Sequence, residues 1–583
     1  MPDDTPLHRP RNPEASAVFA FRDRVNAKYG LALRTYHDLW LWSISHVSLF
    51  WSETWDATNI IGEKGTHVVD ESVNISENPP WFTDACINWA ENMLTSTRSS
   101  EKVALIQPTE PTPLNPNPEL RRCTYAQLYD LVSRLVSSLL ANGLKPGDRV
   151  ASYSSNCIEN VALCLATTAI GAIWVSAAAD FGPAGVLERF EQVQPKFIFA
   201  VDAFVYNAKV HEHLPKLTTL LLGLAAKSLD PAKVVIIHSI PYAEDRSTWQ
   251  EGWLSWQDFL LEGEAKKLGR NPSGEILWHR ASFNWPLWIL FSSGSTGKPN
   301  GWMMYNFLIS GLSVGCTLVL FDGSPLRDPA FLWKLTDDLK ISIFGTSAKY
   351  IEQLAKRYKP RYHHNLSSLR HIYSTGSPLS ADLFRYVYEH IHPDILLGSI
   401  TGGTDICSLF AGMVSGLPVY AGEIQCRMLG LAVESYSEAG TLNAPDEPGE
   451  LVCLKKLPMH ARWGFWRTWF LVRVWHRRAS RGRKEPGTTR PTLLSQIWRG
   501  NTVIIVASHV RGLAMAEGWS CLGGQTVCCM QDMNPGGVRF GSSELYDAID
   551  SAFCAAGKIV DSLAVGLAVE GDERVVLFVK LPR

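Results

Sequence analysis

The sequence predicts an α/β protein: a large domain of doubly wound, mainly parallel sheets, followed by a small, incomplete α+β C-terminal domain. Three observations carry the prediction. From Thr124 onward, amphipathic helical stretches alternate with short apolar runs of strand length. The apolar run Leu287-Trp-Ile-Leu-Phe291 leads directly into Ser292-Ser-Gly-Ser-Thr-Gly-Lys298, a stretch suited to holding a polyphosphate. Two later glycine turns, Ser374-Thr-Gly-Ser-Pro-Leu379 and Ser399-Ile-Thr-Gly-Gly-Thr-Asp-Ile-Cys407, follow apolar runs in the same manner. Ligands of parallel α/β sheets bind beyond the carboxyl ends of the strands, so all three turns fall where a ligand would lie.

Taken in order, the run from Tyr36 to Trp51 spaces Trp, Leu, Ile and Phe at helical intervals and predicts one aromatic-rich packing helix. Tyr125 to Asn142 is an amphipathic helix, Gly143 to Asp148 a turn, and Arg149 begins a strand. A helix over 157–170 and a strand over 172–177 follow. The weakly polar run Ala162 to Ala179 approaches membrane-span length, but Thr167, Thr168, Gly171 and Ser176 interrupt it and Asp180 ends it. It therefore reads as a buried helix and a buried strand. Beyond the run at 287–291 come strands at 315–321, 341–345 and 371–374 and helices at 329–339 and 348–357. Ser380 is a favourable cap for one more helix.

Composition narrows the function. At 583 residues the chain exceeds a single core and predicts a multilayered domain plus something smaller. A net charge of −2 supplies no global field for nucleic acid or an anionic membrane, so small-molecule partners are expected. The 12 cysteines are scattered without zinc spacing, as reduced thiols of a cytosolic protein would be. The N-terminus has no basic region followed by an apolar core, which predicts no secretory signal.

The three turns have a chemical logic. Glycines at 294 and 297 let backbone N–H groups approach phosphates, Ser292, Ser293, Ser295 and Thr296 add hydroxyls, and Lys298 adds a compact positive charge. The plain alternative is a Gly/Ser turn after a buried strand. Gly376, Ser377 and Pro378 form a turn that could equally precede a helix and nothing more. Thr401, Gly402, Gly403, Thr404 and Asp405 place hydroxyls and a carboxylate on a glycine turn, hard oxygens of the kind magnesium takes, with an N-capping turn as the bland reading.

The loop is similar to the phosphate loop of the adenylate-forming acyl-CoA synthetases, and the surrounding text resembles their acetoacetyl-CoA synthetase branch. The resemblance rests on Trp81-Phe-Thr-Asp-Ala-Cys-Ile-Asn-Trp-Ala-Glu-Asn-Met-Leu94, Gly301-Trp-Met-Met-Tyr-Asn-Phe307, Leu320-Phe-Asp-Gly-Ser-Pro325, the stretch at 401–407, and Asn534-Pro-Gly-Gly-Val-Arg-Phe-Gly-Ser542. It implies a ligase that joins acetoacetate to coenzyme A at the expense of ATP and Mg2+, through an acyl-adenylate. It implies catalytic roles for Lys298, Thr404, Asp405 and Arg539, with nucleotide held by Ser292 to Lys298, Gly376 to Pro378, Thr401 to Asp405 and Arg539. Trp302, Met303 and Met304 would wall the acyl pocket, with core packing as the alternative for the methionines. Asp405 and Thr296 would meet the metal. The implied domains are an N-terminal cap over 1–100, the adenylate-forming domain over 101–454, and a truncated C-terminal domain over 532–583.

Four departures set this chain apart from the pattern. After Lys298-Pro299-Asn300 the text jumps to Gly301, where the family carries several dozen further residues. The ribose-binding aspartate expected after 460 has no counterpart. Cys528-Cys-Met-Gln-Asp-Met533 stands where a hinge motif is expected, and the text reaches Arg583 without the family's adenylation lysine. Between 455 and 531 lies an irregular segment rich in Arg and Trp. It reads as an insert for an anionic partner, as a solvated loop, or, the favoured reading, as sequence that replaces ordinary coding text. The expectation is therefore an impaired acetoacetate–CoA ligase. The alternatives are a noncatalytic relative that still binds nucleotide or acyl-CoA, and an acetyl- or propionyl-CoA synthetase.

Overall fold

The structure is a computed structural model. It describes residues 5–73, 75–239, 245–291, 305–403, 406–437, 440–444, 447 and 449–458, and strand segments at 504–506, 532–533, 540–541, 561–569 and 572–580. Two parallel sheets dominate. The first runs Trp253–Ser255, Lys233–Ile237, Phe197–Val201, Arg149–Ser154 and Ile173–Ala178 in spatial order, every pair parallel. Helices Tyr125–Ala141, Ile158–Ala169, Pro183–Val193, Leu214–Ala225 and Trp256–Lys266 connect and cover it. The helix Ile158–Ala169 is buried at every position and the strand after it is nearly so, which confirms the buried reading of the 162–179 run. No helix among the described residues is long and apolar enough to cross a membrane.

The second sheet places Ile343–Ser347, His371–Thr375 and Leu396–Ser399 side by side in parallel. Its core is a separate cluster that includes Trp333, Ile351, Leu354, Ile372, Phe384 and Leu397. Ser380 caps the helix Ala381–Tyr386 as its identity predicts, accepting from the Leu383 N–H at 3.4 Å. A third sheet joins Leu318–Val319 in parallel to Val103–Gln107, which pairs antiparallel with Arg121–Thr124. Further on, the strand Ile504–Val506 pairs with Glu450–Cys453, and Asp561–Val569 forms a long hairpin with Asp572–Lys580. The segment 455–531, expected to be irregular, therefore contains at least one strand.

Three element predictions are corrected. The aromatic helix expected over 36–51 is two helices, Tyr36–Ser45 and Val47–Ala57, because the backbone leaves the helical region at His46 (φ −128°, ψ 62°). The break lets Trp42 and Phe50 pack into one cluster with Val25 and Leu39. The run 287–291 is a single parallel bridge between Trp288 and Trp174 rather than a full strand. It lies at the sheet's margin, where two hydrogen bonds, Trp174 N to Leu287 O at 3.1 Å and Ile289 N to Trp174 O at 2.9 Å, hold it. The strand expected over 315–321 is confined to Leu318–Val319.

The Trp81–Leu94 motif has a structural role. Asn88 caps the helix Trp89–Leu94 by accepting from Glu91 N–H at 3.0 Å, while its amide donates to the carbonyls of Thr168, Ala169 and His279 at 3.0, 3.2 and 2.9 Å. Buried Glu91 accepts two bonds, at 2.8 and 2.6 Å, from the Arg280 guanidinium. A buried carboxylate needs that bidentate partner, since an unpaired one is costly to desolvate. One short element thus fastens the Trp81–Leu94 stretch to the helix Ile158–Ala169 and to the segment at 279–280.

Candidate active site

The second sheet assembles the described part of the site. Because its strands are parallel and in register, with Ser347 beside Thr375 and Ser374 beside Ser399, their carboxyl ends emerge together. Thr375 passes into Gly376-Ser377-Pro378, and Ser399 passes through Ile400 into the strand Thr401–Gly403. Two of the sequence-predicted turns, separated by more than twenty residues, are therefore neighbours on one sheet edge. Ile400 N–H donates to the Ser374 carbonyl at 3.0 Å and fixes their relative height. The Ser374 hydroxyl is buried between them and makes no hydrogen bond among the described residues.

Both turns depend on glycine, for different reasons. Gly376 has φ +87°, the left-handed region, and a Cβ there would meet nothing within 4 Å. Its constraint is backbone conformation alone. Gly402 faces the antiparallel strand Ser408–Gly412 at a register shift, where an added Cβ would lie 2.9 Å from Leu409 Cα and closer still to the Ser408 carbonyl oxygen. Its constraint is space.

The flanks of the other motifs converge on the same region. Trp288, four residues before Ser292, packs edge-on to Trp89 at 5.1 Å and donates to the Cys407 sulfur from its indole. Burial pushes the Cys407 thiol up to about 11, and the contact with Trp288 partly offsets that rise. The run 287–291 thus touches the residue that closes the Thr401–Cys407 stretch. On the other side, Phe307 packs edge-on to Tyr373 at 6.2 Å, two residues before Thr375. Of the predicted site residues, Gly376, Ser377, Pro378, Thr401, Gly402 and Gly403 have described positions. Ser292, Ser293, Gly294, Ser295, Thr296, Gly297, Lys298, Trp302, Met303, Met304, Thr404, Asp405 and Arg539 lie outside the described residues.

Sequence reasoning passed over two features. Ser347 ends the first strand of the same sheet edge beside Thr375, and its hydroxyl caps the next helix by accepting from Tyr350 N–H at 3.1 Å. A Gly-Thr-Ser junction between strand and helix was the available signal. The other feature lies beside the first sheet, where Asn156 N–H donates to the Asp322 carboxylate at 3.1 Å and Asp180 lies nearby. Dense surroundings raise the Asp322 pKa to about 7, with the Asp180 charge adding to the rise, although the residue as a whole is exposed. Asp322 belongs to the Leu320–Pro325 stretch that carried the family resemblance.

The profile described as AMP-binding enzyme matches residues 95–306 and 302–459. An acetoacetyl-CoA synthetase of Xenopus tropicalis is 36% identical over 98% of this chain and 85% of its own length. The acetoacetyl-CoA synthetase of Danio rerio is 38% identical over 96% of this chain and 83% of its own. Among solved structures, the acetoacetyl-CoA synthetase from Streptomyces lividans matches with a TM-score of 0.70 at 26% identity, covering 99% of this chain and 87% of that one. With two motif turns neighbouring on one sheet edge and similarity running along nearly its whole length, the chain belongs to the AMP-binding enzymes, as a ligase of the acetoacetyl-CoA synthetase family.

Proposed function

We propose that this ligase joins acetoacetate to coenzyme A, with ATP entering as its magnesium complex and the acyl group passing through acetoacetyl-adenylate. The observation that carries the reading is identity of 36–38% with acetoacetyl-CoA synthetases over at least 96% of the chain. The substrates are small molecules, and the expected compartment is the cytosol.

In the first step a carboxylate oxygen of acetoacetate bonds to the α-phosphorus while the bond to the bridging oxygen breaks, and pyrophosphate leaves with the electron pair. In the second, the deprotonated thiol of coenzyme A attacks the acyl carbon and AMP leaves. Lys298 and the N–H groups of 292–297 would balance the β and γ phosphates, and Arg539 would reach a phosphate from the C-terminal side. Such charges lower the barrier when they are fixed before the reaction begins. Gly376, Ser377 and Pro378 would lie against adenine and ribose. Thr401 to Thr404 would orient the α-phosphate, while Trp302, Met303 and Met304 would wall the acyl chain. Magnesium is held largely by water and substrate phosphates, so the Asp405 carboxylate with the Thr296 hydroxyl is a sufficient protein contribution.

A reduced rate belongs to the same reading. The family profile matches in two pieces that meet at 302–306, beside the Asn300–Gly301 junction. The alignment to the Xenopus tropicalis relative spans 611 positions, more than the 583 residues of this chain, so that relative carries residues with no counterpart here. The strand Ile343–Ser347 pairs on one side only among the described residues, and Ile343 is 44% exposed. Parallel strands are ordinarily covered on both faces, as this one would be if a further strand and helix preceded it. The domain limits 1–100, 101–454, 455–531 and 532–583 are part of the proposal.

The test is acetoacetate-dependent exchange of labelled pyrophosphate into ATP, followed by thioester formation on adding coenzyme A, with acetate and propionate as competitors. Exchange that is slow but specific to acetoacetate supports the reading. ATP binding without exchange for any acid would replace it with a noncatalytic nucleotide binder, and preference for acetate or propionate would replace the substrate. Native peptides with extra residues between Pro299 and Gly301 would remove the case for impairment.

A further inference from the structure

A second concentration of positive charge lies at the opposite end of the second sheet. The strand Ile343–Ser347 ends at its carboxyl edge, and the helix Ala348–Ala355 carries the chain back toward the amino edge, where His371 begins the neighbouring strand. The loop between them therefore sits a strand length, roughly 16 Å, from the Gly376 turn. It contains Lys356, Arg357, Lys359 and Arg361, and no Asp or Glu occurs from Gln353 to Ala381 in a chain whose overall charge is slightly negative.

The loop is built rather than loose. Tyr358 stacks on His363 at 5.1 Å with planes 19° apart, and its hydroxyl meets His364 Nε2 at 2.8 Å. Tyr386 donates its hydroxyl to the Tyr358 carbonyl at 2.6 Å, and Arg361 donates to the Glu389 carbonyl at 3.3 Å. These contacts shape a cleft of about 330 Å3 lined by Lys356, Arg357, Tyr358, Lys359, Tyr362 and His363. Lys356 is partly satisfied by Glu352 at 2.7 Å, whereas neither Arg357 nor Lys359 pairs with a carboxylate among the described residues. Tyr362 stands at the rim, 64% exposed.

We propose that this cleft binds a phosphorylated, ring-bearing small molecule of nucleotide size, with the phosphate on Arg357 and Lys359 and the ring on Tyr362. An arginine fork matches two phosphate oxygens, a lysine adds a point charge, and an exposed tyrosine offers a face for stacking. The cleft is open, so such a molecule would lie against it with much of its surface in water. Acids on the adjoining elements, Glu352 on the preceding helix and Asp337 beside Asn365, bound the positive patch, so it does not extend into the long stripe that a nucleic acid strand requires.

The test is calorimetric titration with guanosine 5′-monophosphate at low salt, on the full chain, its Arg357→Ala/Lys359→Ala variant, the charge-conserving Arg357→Lys/Lys359→Arg variant, and Tyr362→Ala. The wild type is expected to bind, the double alanine variant to lose at least tenfold in affinity, and the charge-conserving pair to keep most of it. Tyr362→Ala should weaken guanosine monophosphate but leave inorganic phosphate unchanged. AMP binding at the Gly376 edge should survive the double alanine variant. The proposal fails if guanosine monophosphate does not bind the wild type at millimolar concentration, or if the double alanine variant binds it equally well. It also fails if affinity for single-stranded RNA rises steadily with length and far exceeds that of the mononucleotide.

Discussion

Three glycines in and beside the second sheet make a graded test of how the site is held. Gly402 is constrained by space, Gly376 by backbone conformation, and Gly345 by neither, since a Cβ at 345 meets nothing within 4 Å and its φ is ordinary. Gly402→Ala forces Leu409 and the Ser408 carbonyl away from Thr401–Gly403. Relaxing the 2.9 Å approach to ordinary contact moves the hairpin, and overpacking of this kind costs about 1–3 kcal/mol. If the shift is about 1 Å, groups beyond the turn lose on the order of a hundredfold in rate. Gly376→Ala keeps its surroundings but pays about 1–2 kcal/mol for the left-handed conformation. Gly345→Ala should be neutral or stabilise by about 0.5 kcal/mol, because glycine in a strand weakens it. Urea unfolding and ATP affinity, measured on all three, should both rank Gly402→Ala worst and Gly345→Ala best. Equal losses at 345 and 402 would refute the geometric reasoning.

Other perturbations follow from the same contacts. Trp288→Ala removes the ring packed on Trp89 and the indole beside Cys407; it should cost about 2–3 kcal/mol and make Cys407 react faster with a thiol reagent at pH 8, and unchanged reactivity would argue against the contact. His213 is fully buried, with Nε2 3.1 Å from the Tyr153 carbonyl, and burial pushes its pKa down to about 3. The unfolded chain takes up that proton near pH 6.5 and the folded one does not, so stability is intact above that pH and falls toward pH 3, by up to about 4 kcal/mol. His213→Phe should flatten the acid limb of the urea midpoint, and an unchanged slope would refute the assignment. Asp322 has the opposite sign. Its folded pKa near 7 exceeds the unfolded value, so its contribution is present at acid pH and is lost as pH rises through 7. Asp322→Asn should raise Tm at pH 8.5 but not at pH 3.5, by the equivalent of about 1 kcal/mol because the residue is exposed.

Much of this protein was legible from its amino acids. Strand–helix alternation from Thr124 gave the parallel class, because periods of 2 and 3.6 are local properties of the chain. Asn88, Ser380 and Thr124 act as helix caps because a short oxygen-bearing side chain reaches the nearby backbone N–H wherever it stands before a helix. The glycine turns were equally visible. Only tertiary structure decided which of them meet: parallel register sets Gly376–Pro378 beside Thr401–Gly403, and Trp288 joins Cys407 across 119 positions of sequence. Tertiary packing also split the aromatic helix at His46 so that Trp42 and Phe50 share one cluster, and reduced the run 287–291 to a single bridge. It showed Gly402 and Gly376 to be fixed for different reasons, a distinction that depends on what lies opposite each backbone and that no local pattern encodes.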